Sequence, residues 1–262
     1  MDKTRIVGGR LTPLRQWLAN KLVKPLKAPS DVDMETAFNE IWSVVSPYTL
    51  TSKESGYALF KAVEYVTAQR IPGALVECGV YRGGSSMLMA LAALHFGDRS
   101  RLLHLFDTFA GMPRPGVFDR STLSGNFQQD RWESGIRSDG SNEWCFASLA
   151  EVKQNFKATH YPSNLLCTHV GDVASTLPNS NLSSIAILRL DTDFYESTKI
   201  ELEQLYPKVS ERGFVVVDDY GHFDGARRAT DEYLNTLTPR PFLHRVNYSV
   251  RMIQIAEKIT SG

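Results

Sequence analysis

The chain has 262 residues, with 29 Lys plus Arg balancing 29 Asp plus Glu, and 42% of its residues are hydrophobic. That composition suits one large globular domain with appendages, and balanced charge without a long basic tract argues against nucleic acid or an anionic membrane as partner. No eighteen-residue apolar run suggests a membrane span, and Cys78, Cys145 and Cys167 have neither metal-ligand spacing nor the density of a disulfide scaffold.

Residues 1–30 are basic and broken by Pro13, Pro25 and Pro29. Leu11, Leu14, Trp17, Leu18 and Leu22 fall at helical spacing and predict a short amphipathic helix. The segment lacks the continuous apolar stretch of a signal peptide, so the cytoplasm is the expected location. A second helix is expected over 33–46. A third runs to Gln69 from a capping-box-like Thr51-Ser52-Lys53-Glu54, with Ser52 and Ser55 as further cap candidates.

A strand–helix alternation begins at Pro72-Gly73. A strand over 74–77 leads through Gly79-Val80-Tyr81-Arg82-Gly83-Gly84 into an apolar-faced helix over 85–95. The next strand, 102–106, ends at Asp107. Residues 108–145 are polar and too long for an ordinary connection. Their Phe109, Phe118, Phe127, Trp132 and Trp144 favour an active-site lid over a disordered loop. A helix over 147–157 and a strand over 165–169 follow, then Gly171-Asp172. Strands over 185–190 and 214–218 are separated by a helix over 196–208, and a helix over 225–237 comes next. Residues 242–246 and 249–255 face each other across Asn247-Tyr248, a join so short that the strands must be antiparallel. The expected fold is α/β: a doubly wound, seven-stranded, mostly parallel sheet ending in an antiparallel hairpin. It divides into an N-terminal helical segment (1–70) and a catalytic domain (71–262) with the lid near 108–145.

Short β-branched runs that stop at acids read as buried parallel strands, and the carboxyl edge of such a sheet is where open α/β folds bind ligands. Run 185–190 ends in Asp191-Thr192-Asp193, and run 214–217 ends in Asp218-Asp219. Asp191, Asp218 and Asp219 form an oxygen-rich set suited to a hard divalent ion such as Mg²⁺, which would relieve their mutual repulsion. The loop Glu77-x-Gly79-x-x-x-Gly83-Gly84 lets the backbone approach a ligand closely. It is neither a dinucleotide fingerprint, since Tyr81 holds the second glycine position, nor a P-loop. Its leading acid, Glu77, favours a ligand carrying an ammonium or hydroxyls. Asp107 is placed to accept from ribose hydroxyls. Asp172 either contacts the base of such a ligand or caps the next turn, and Ser148 or Trp144 is a candidate to reach the base. Arg189, inside an apolar strand, requires a buried partner, with Glu77 on a neighbouring strand as the candidate. His160, His169 and His244 read as ordinary residues.

These motifs resemble a known family. The stretches 77–84, 106–113, 188–198 and 217–220 are similar, in order, to the signatures of the macrocin O-methyltransferases, which act on sugars of macrolide and aminocoumarin antibiotics. The resemblance covers residues 33 to 250. It implies S-adenosylmethionine as methyl donor, a sugar hydroxyl as acceptor, a Mg²⁺ requirement and a homo-oligomer. It places the metal on Asp191, Asp218 and Asp219, the ribose on Asp107 and the donor loop at Gly79 and Gly83. Thr192 stands where the family usually has glycine, and Phe194 where it has leucine.

On that reading the acceptor proton needs a base, for which Asp191, Asp193 and His222 are the candidates. Asp193 would face away from Asp191 if the chain stayed extended past the strand. A catechol-like or other small-molecule diol is the alternative acceptor, because it too chelates Mg²⁺. A dehydrogenase gives no reason for clustered acids, and a degenerate scaffold would have lost them.

Overall fold

The computed structural model describes residues 33–257, so the helix expected near the N-terminus lies outside the described residues. Residues from Thr36 onward form one compact unit. It begins with α1 (Thr36–Val45) and α2 (Lys53–Ala68). Ser52 caps α2, its hydroxyl accepting from the Ser55 amide at 3.3 Å, so the cap falls one residue past the capping-box threonine. The helices bury Phe38, Phe60 and Val63, and Gly56 sits under the Trp42 ring, where a Cβ would lie 2.5 Å from it.

Then come β1 (Ala74–Cys78), α3 (Gly84–His95), β2 (Leu103–Asp107), α4 (Gln129–Ser134), α5 (Leu149–Phe156), β3 (Leu166–Val170) and α6 (Val173–Thr176). The chain continues through β4 (Ile185–Leu190), α7 (Tyr195–Leu205), β5 (Val209–Val217), α8 (Asp224–Leu234), β6 (His244–Arg245) and β7 (Arg251–Gln254). The seven strands form one sheet in the order β3-β2-β1-β4-β5-β7-β6. β1 to β5 are parallel, and β7 inserts antiparallel between β5 and β6. The doubly wound sheet with its terminal hairpin is therefore as expected.

Burial explains the strand composition. Every residue of β1 and β4 is buried, as strands covered by helices on both faces must be. β3, at the edge, is only partly covered, which leaves Cys167 half-buried. β5 starts five residues earlier than its apolar run predicts. Its first half is polar, and Arg212 adopts a positive φ of 64° at a shift in the β4–β5 register.

The topology reverses at β1 and β4, because β2 lies on one side of β1 and β4 on the other. The crevice that opens there, at the carboxyl ends of the strands, is the expected ligand site of such a sheet.

Candidate active site

A cavity of about 410 Å³ occupies this crevice. Gly79, Asp107 and Asp172 line one part of it, and Asp191, Asp193, Asp218, Asp219 and His222 another. Tyr48 to Ser52, between α1 and α2, also contribute to the wall.

Gly79 has φ of 82°, and a Cβ there would lie 2.0 Å from the Asp191 carbonyl oxygen. The glycine is needed because the loop after β1 runs directly against the end of β4. Tyr81 carries a φ of 49° in the same loop, a conformation that costs an L-residue roughly 1–2 kcal/mol. Asp107 braces it. Its Oδ2 accepts from the amides of Val80 at 2.6 Å and Tyr81 at 3.2 Å, and its Oδ1 from Phe109 at 2.7 Å. Burial pushes the Asp107 carboxyl up in spite of these bonds. Asp172 lines the cavity and also caps α6, its Oδ1 accepting from the Ala174 amide at 2.8 Å, so both roles weighed for it have a structural basis.

Three expected ligand contacts lie elsewhere. Glu77 is 1% exposed and sealed below the cavity. Its carboxylate accepts from Arg189 Nη1 at 2.6 Å and from the Ser86 hydroxyl, so its charge answers the buried guanidinium. Gly83 begins α3 with φ of 92° and faces the Phe156 ring, turning the chain without lining the cavity. The Ser148 hydroxyl caps α5, accepting from the Glu151 amide at 3.2 Å; it too is absent from the wall, which Trp144 does join.

The acids converge at the ends of β4 and β5. Arg189, 2% exposed, reaches Asp191 Oδ2 at 2.5 Å through Nη1 and Asp218 Oδ1 at 2.6 Å through Nη2. Asp218 Oδ1 also accepts from the Thr51 hydroxyl at 3.3 Å. Carboxylate oxygens of Asp191, Asp193 and Asp219 lie within 4.8 Å of one another. Asp219 Oδ2 is buried with no hydrogen-bond partner. Converging hard oxygens with one orphaned oxygen fit a divalent cation. Asp193 thus joins this cluster, which Asp218, expected among the metal-binding acids, adjoins with its Oδ1 bonded to Arg189.

A turn brings Asp193 there. The chain does not stay extended: Asp193 has φ of 66°, and the Phe194 amide donates to the Thr192 carbonyl at 2.7 Å across it. This three-residue turn is a rare, strained form, and strain of this kind concentrates at functional sites. It swings the Asp193 carboxylate back toward Asp191. Burial pushes the Asp193 carboxyl up to about 7. Burial and neighbouring acids also raise Asp191 and Asp219 well above the carboxylate range.

His222 joins the wall with Nδ1 3.0 Å from the Tyr248 hydroxyl, and burial lowers its pKa. His169, expected to be ordinary, stacks on Phe106 and lies 3.0 Å from His104 Nδ1.

The 108–145 insertion contributes residues to this end of the sheet. Trp144 packs on Phe194 and Phe223. Asp119, 1% exposed, accepts from the Tyr195 amide at 2.8 Å and so caps α7, which lacks a side-chain cap of its own. Sequence reading missed Asp119 because its helix lies 76 residues away.

This strand order, with a glycine loop after β1 and an acid ending β2, defines a class I methyltransferase-like fold. Among solved structures, that of the O-methyltransferase NovP superposes with a TM-score of 0.67 at 31% identity, covering 80% of this chain and 83% of that one. The macrocin-O-methyltransferase (TylF) family model matches residues 20–249, and the chain belongs to that family. The 8-demethyl-8-(2,3-dimethoxy-alpha-L-rhamnosyl)-tetracenomycin-C 4'-O-methyltransferase of Streptomyces olivaceus is 35% identical over 171 residues, 65% of this chain. The demethyldecarbamoylnovobiocin O-methyltransferase of Streptomyces niveus is 35% identical over 173 residues, 66% of this chain. The matched parts span 61% and 62% of those two relatives. Among the described residues no helix is long and apolar enough to cross a membrane.

Proposed function

We propose that this chain transfers a methyl group from S-adenosylmethionine to a sugar hydroxyl of a small-molecule natural product in the cytoplasm, with Mg²⁺ at the acid cluster. One observation carries the reading: a single cavity joins the Gly79 loop and Asp107 to the acids that end β4 and β5. The relatives' names support the acceptor, since one names a rhamnosyl-tetracenomycin and another demethyldecarbamoylnovobiocin.

The donor carries an activated methyl on a sulfonium, so transfer breaks that carbon–sulfur bond as the acceptor oxygen forms its bond to carbon. The protein's task is to hold the oxygen in line and remove its proton. Gly79, Asp107 and Asp172 form the donor wall. Asp191 and Asp219 would hold the cation, with the Asp193 carboxylate converging on the same point. Asp218, fixed by Arg189 and Thr51, keeps its charge beside them. A Mg²⁺ ion held there would supply Lewis-acid chemistry, making an acceptor hydroxyl more acidic. Asp193, turned into the cluster, accepts the proton, and His222 stands farther along the wall as an acceptor contact. Polar side chains on the wall, among them Thr51, Ser52, Asn247 and Ser249, offer partners for the hydroxyls of a sugar.

The test is a screen of glycosides and phenolic diols with isotopically labelled donor, with Mg²⁺ and with EDTA. Label on a sugar oxygen only when metal is present supports the reading. Label on phenols alone, or turnover indifferent to EDTA, overturns the acceptor or the metal assignment respectively.

A further inference from the structure

Glu201 is a carboxylic acid with no solvent exposure, on a helix whose other inward residues include Leu202 and Leu205. A buried acid is costly unless its polar atoms are answered. Its Oε2 accepts from the Thr192 hydroxyl at 3.1 Å, while its Oε1 is buried with no hydrogen-bond partner. Burial drives this carboxyl well above its ordinary range. The bond from Thr192 ties it to the residue between Asp191 and Asp193.

Thr192 is the first residue of the strained turn. Its carbonyl accepts from the Phe194 amide at 2.7 Å and from the Ser197 hydroxyl at 3.3 Å. Its own hydroxyl points down to Glu201. The turn is therefore gripped from α7 on both its carbonyl and its side chain. Asp193 keeps a positive φ only if the turn is over-determined in this way.

We infer that Glu201 is a positioning residue that acts through Thr192 to hold the Asp193 turn and so keep the carboxylates of Asp191, Asp193 and Asp219 converged. The inference rests on the metal-assisted reading above. It goes beyond that reading by assigning the upkeep of the cluster to a pair of side chains on β4's exit and α7.

The test uses the purified full-length chain and Mn²⁺ alone as probe, followed by electron paramagnetic resonance. Thr192→Val and Glu201→Leu each remove the tether, and Glu201→Gln retains an acceptor for the threonine. Expected are Mn²⁺ dissociation constants raised about five-fold or more in Thr192→Val and in Glu201→Leu, a double variant no weaker than the worse single one, and Glu201→Gln within about two-fold of wild type. Unchanged affinity in both single variants, or losses that simply add, overturns the inference. If the wild-type chain binds no Mn²⁺, the metal reading fails by itself. The tether is then read from amide hydrogen exchange over 191–194. Faster exchange in Thr192→Val and Glu201→Leu but not in Glu201→Gln supports it, and equal rates in all four proteins overturn it.

Discussion

Glu77 and Arg189 stand opposite each other in register on adjacent parallel strands, and their side chains meet at 2.6 Å in the fully buried centre of the sheet. The same guanidinium then reaches upward to Asp191 and Asp218. One cation thus links the interior of the fold to the floor of the cavity.

Arg189→Met leaves Glu77 buried without its cation. Removing one partner of a buried pair typically costs about 3–5 kcal/mol, and that loss is expected in urea denaturation. Arg189→Lys recovers only part of it, because a point charge cannot bridge three carboxylates as a planar fork does. Equal stability of Arg189→Met and wild type would remove this pair from the account of the fold.

Asp219→Asn replaces the acid that carries the orphaned oxygen. Mn²⁺ affinity should fall at least about ten-fold, equivalent to roughly 1.4 kcal/mol, while the melting temperature holds or rises because like-charge repulsion in the cluster is relieved. Calorimetric titration and a thermal melt measure the two effects.

How much of this was legible in advance depends on whether the signal was local. An arginine within an apolar run demands a partner, so its pairing with Glu77 could be read from the strands alone. Acids that end strands announce the cavity edge. The return of Asp193 could not be read, since it depends on a positive φ that the sequence Asp-Thr-Asp does not demand. Glu201 was hidden for a similar reason: a glutamate on a helix reads as solvated until α7 is seen to bury that face. Ser148 misled because a serine near a cavity and a serine capping a helix look alike in sequence.

Gly79→Ala places a methyl group 2.0 Å from the Asp191 carbonyl oxygen in a conformation unfavourable to alanine. The ends of β1 and β4 must separate, which moves the loop and the acid together. Affinity for S-adenosylmethionine is expected to fall by about ten-fold or more, measured by calorimetry. Wild-type affinity would show that the loop does not contact the donor.

The His104–His169 pair makes stability depend on pH. Unfolded, a histidine titrates near 6.5, whereas in the fold burial and then the neighbouring His169 hold His104 down at about 4. Above pH 6.5 both states are neutral and the full stability is present. Between pH 6.5 and 4 the unfolded chain takes up a proton that the fold refuses, so stability falls as pH falls, by ~1.4 kcal/mol per pH unit for this one group. Denaturation midpoints at pH 7.5 and 5.5 should therefore differ more in wild type than in His104→Asn.

Asp119 ties the insertion to α7 by accepting from the Tyr195 amide, and it accepts a second bond from the Gly116 amide. Loop exchange among relatives, the obvious route to new acceptors, would in this chain sever that cap and loosen the start of α7. A grafted loop has to bring its own acid to the same spot; otherwise a change of substrate preference will arrive together with a weakened scaffold, and the two effects will be mistaken for one.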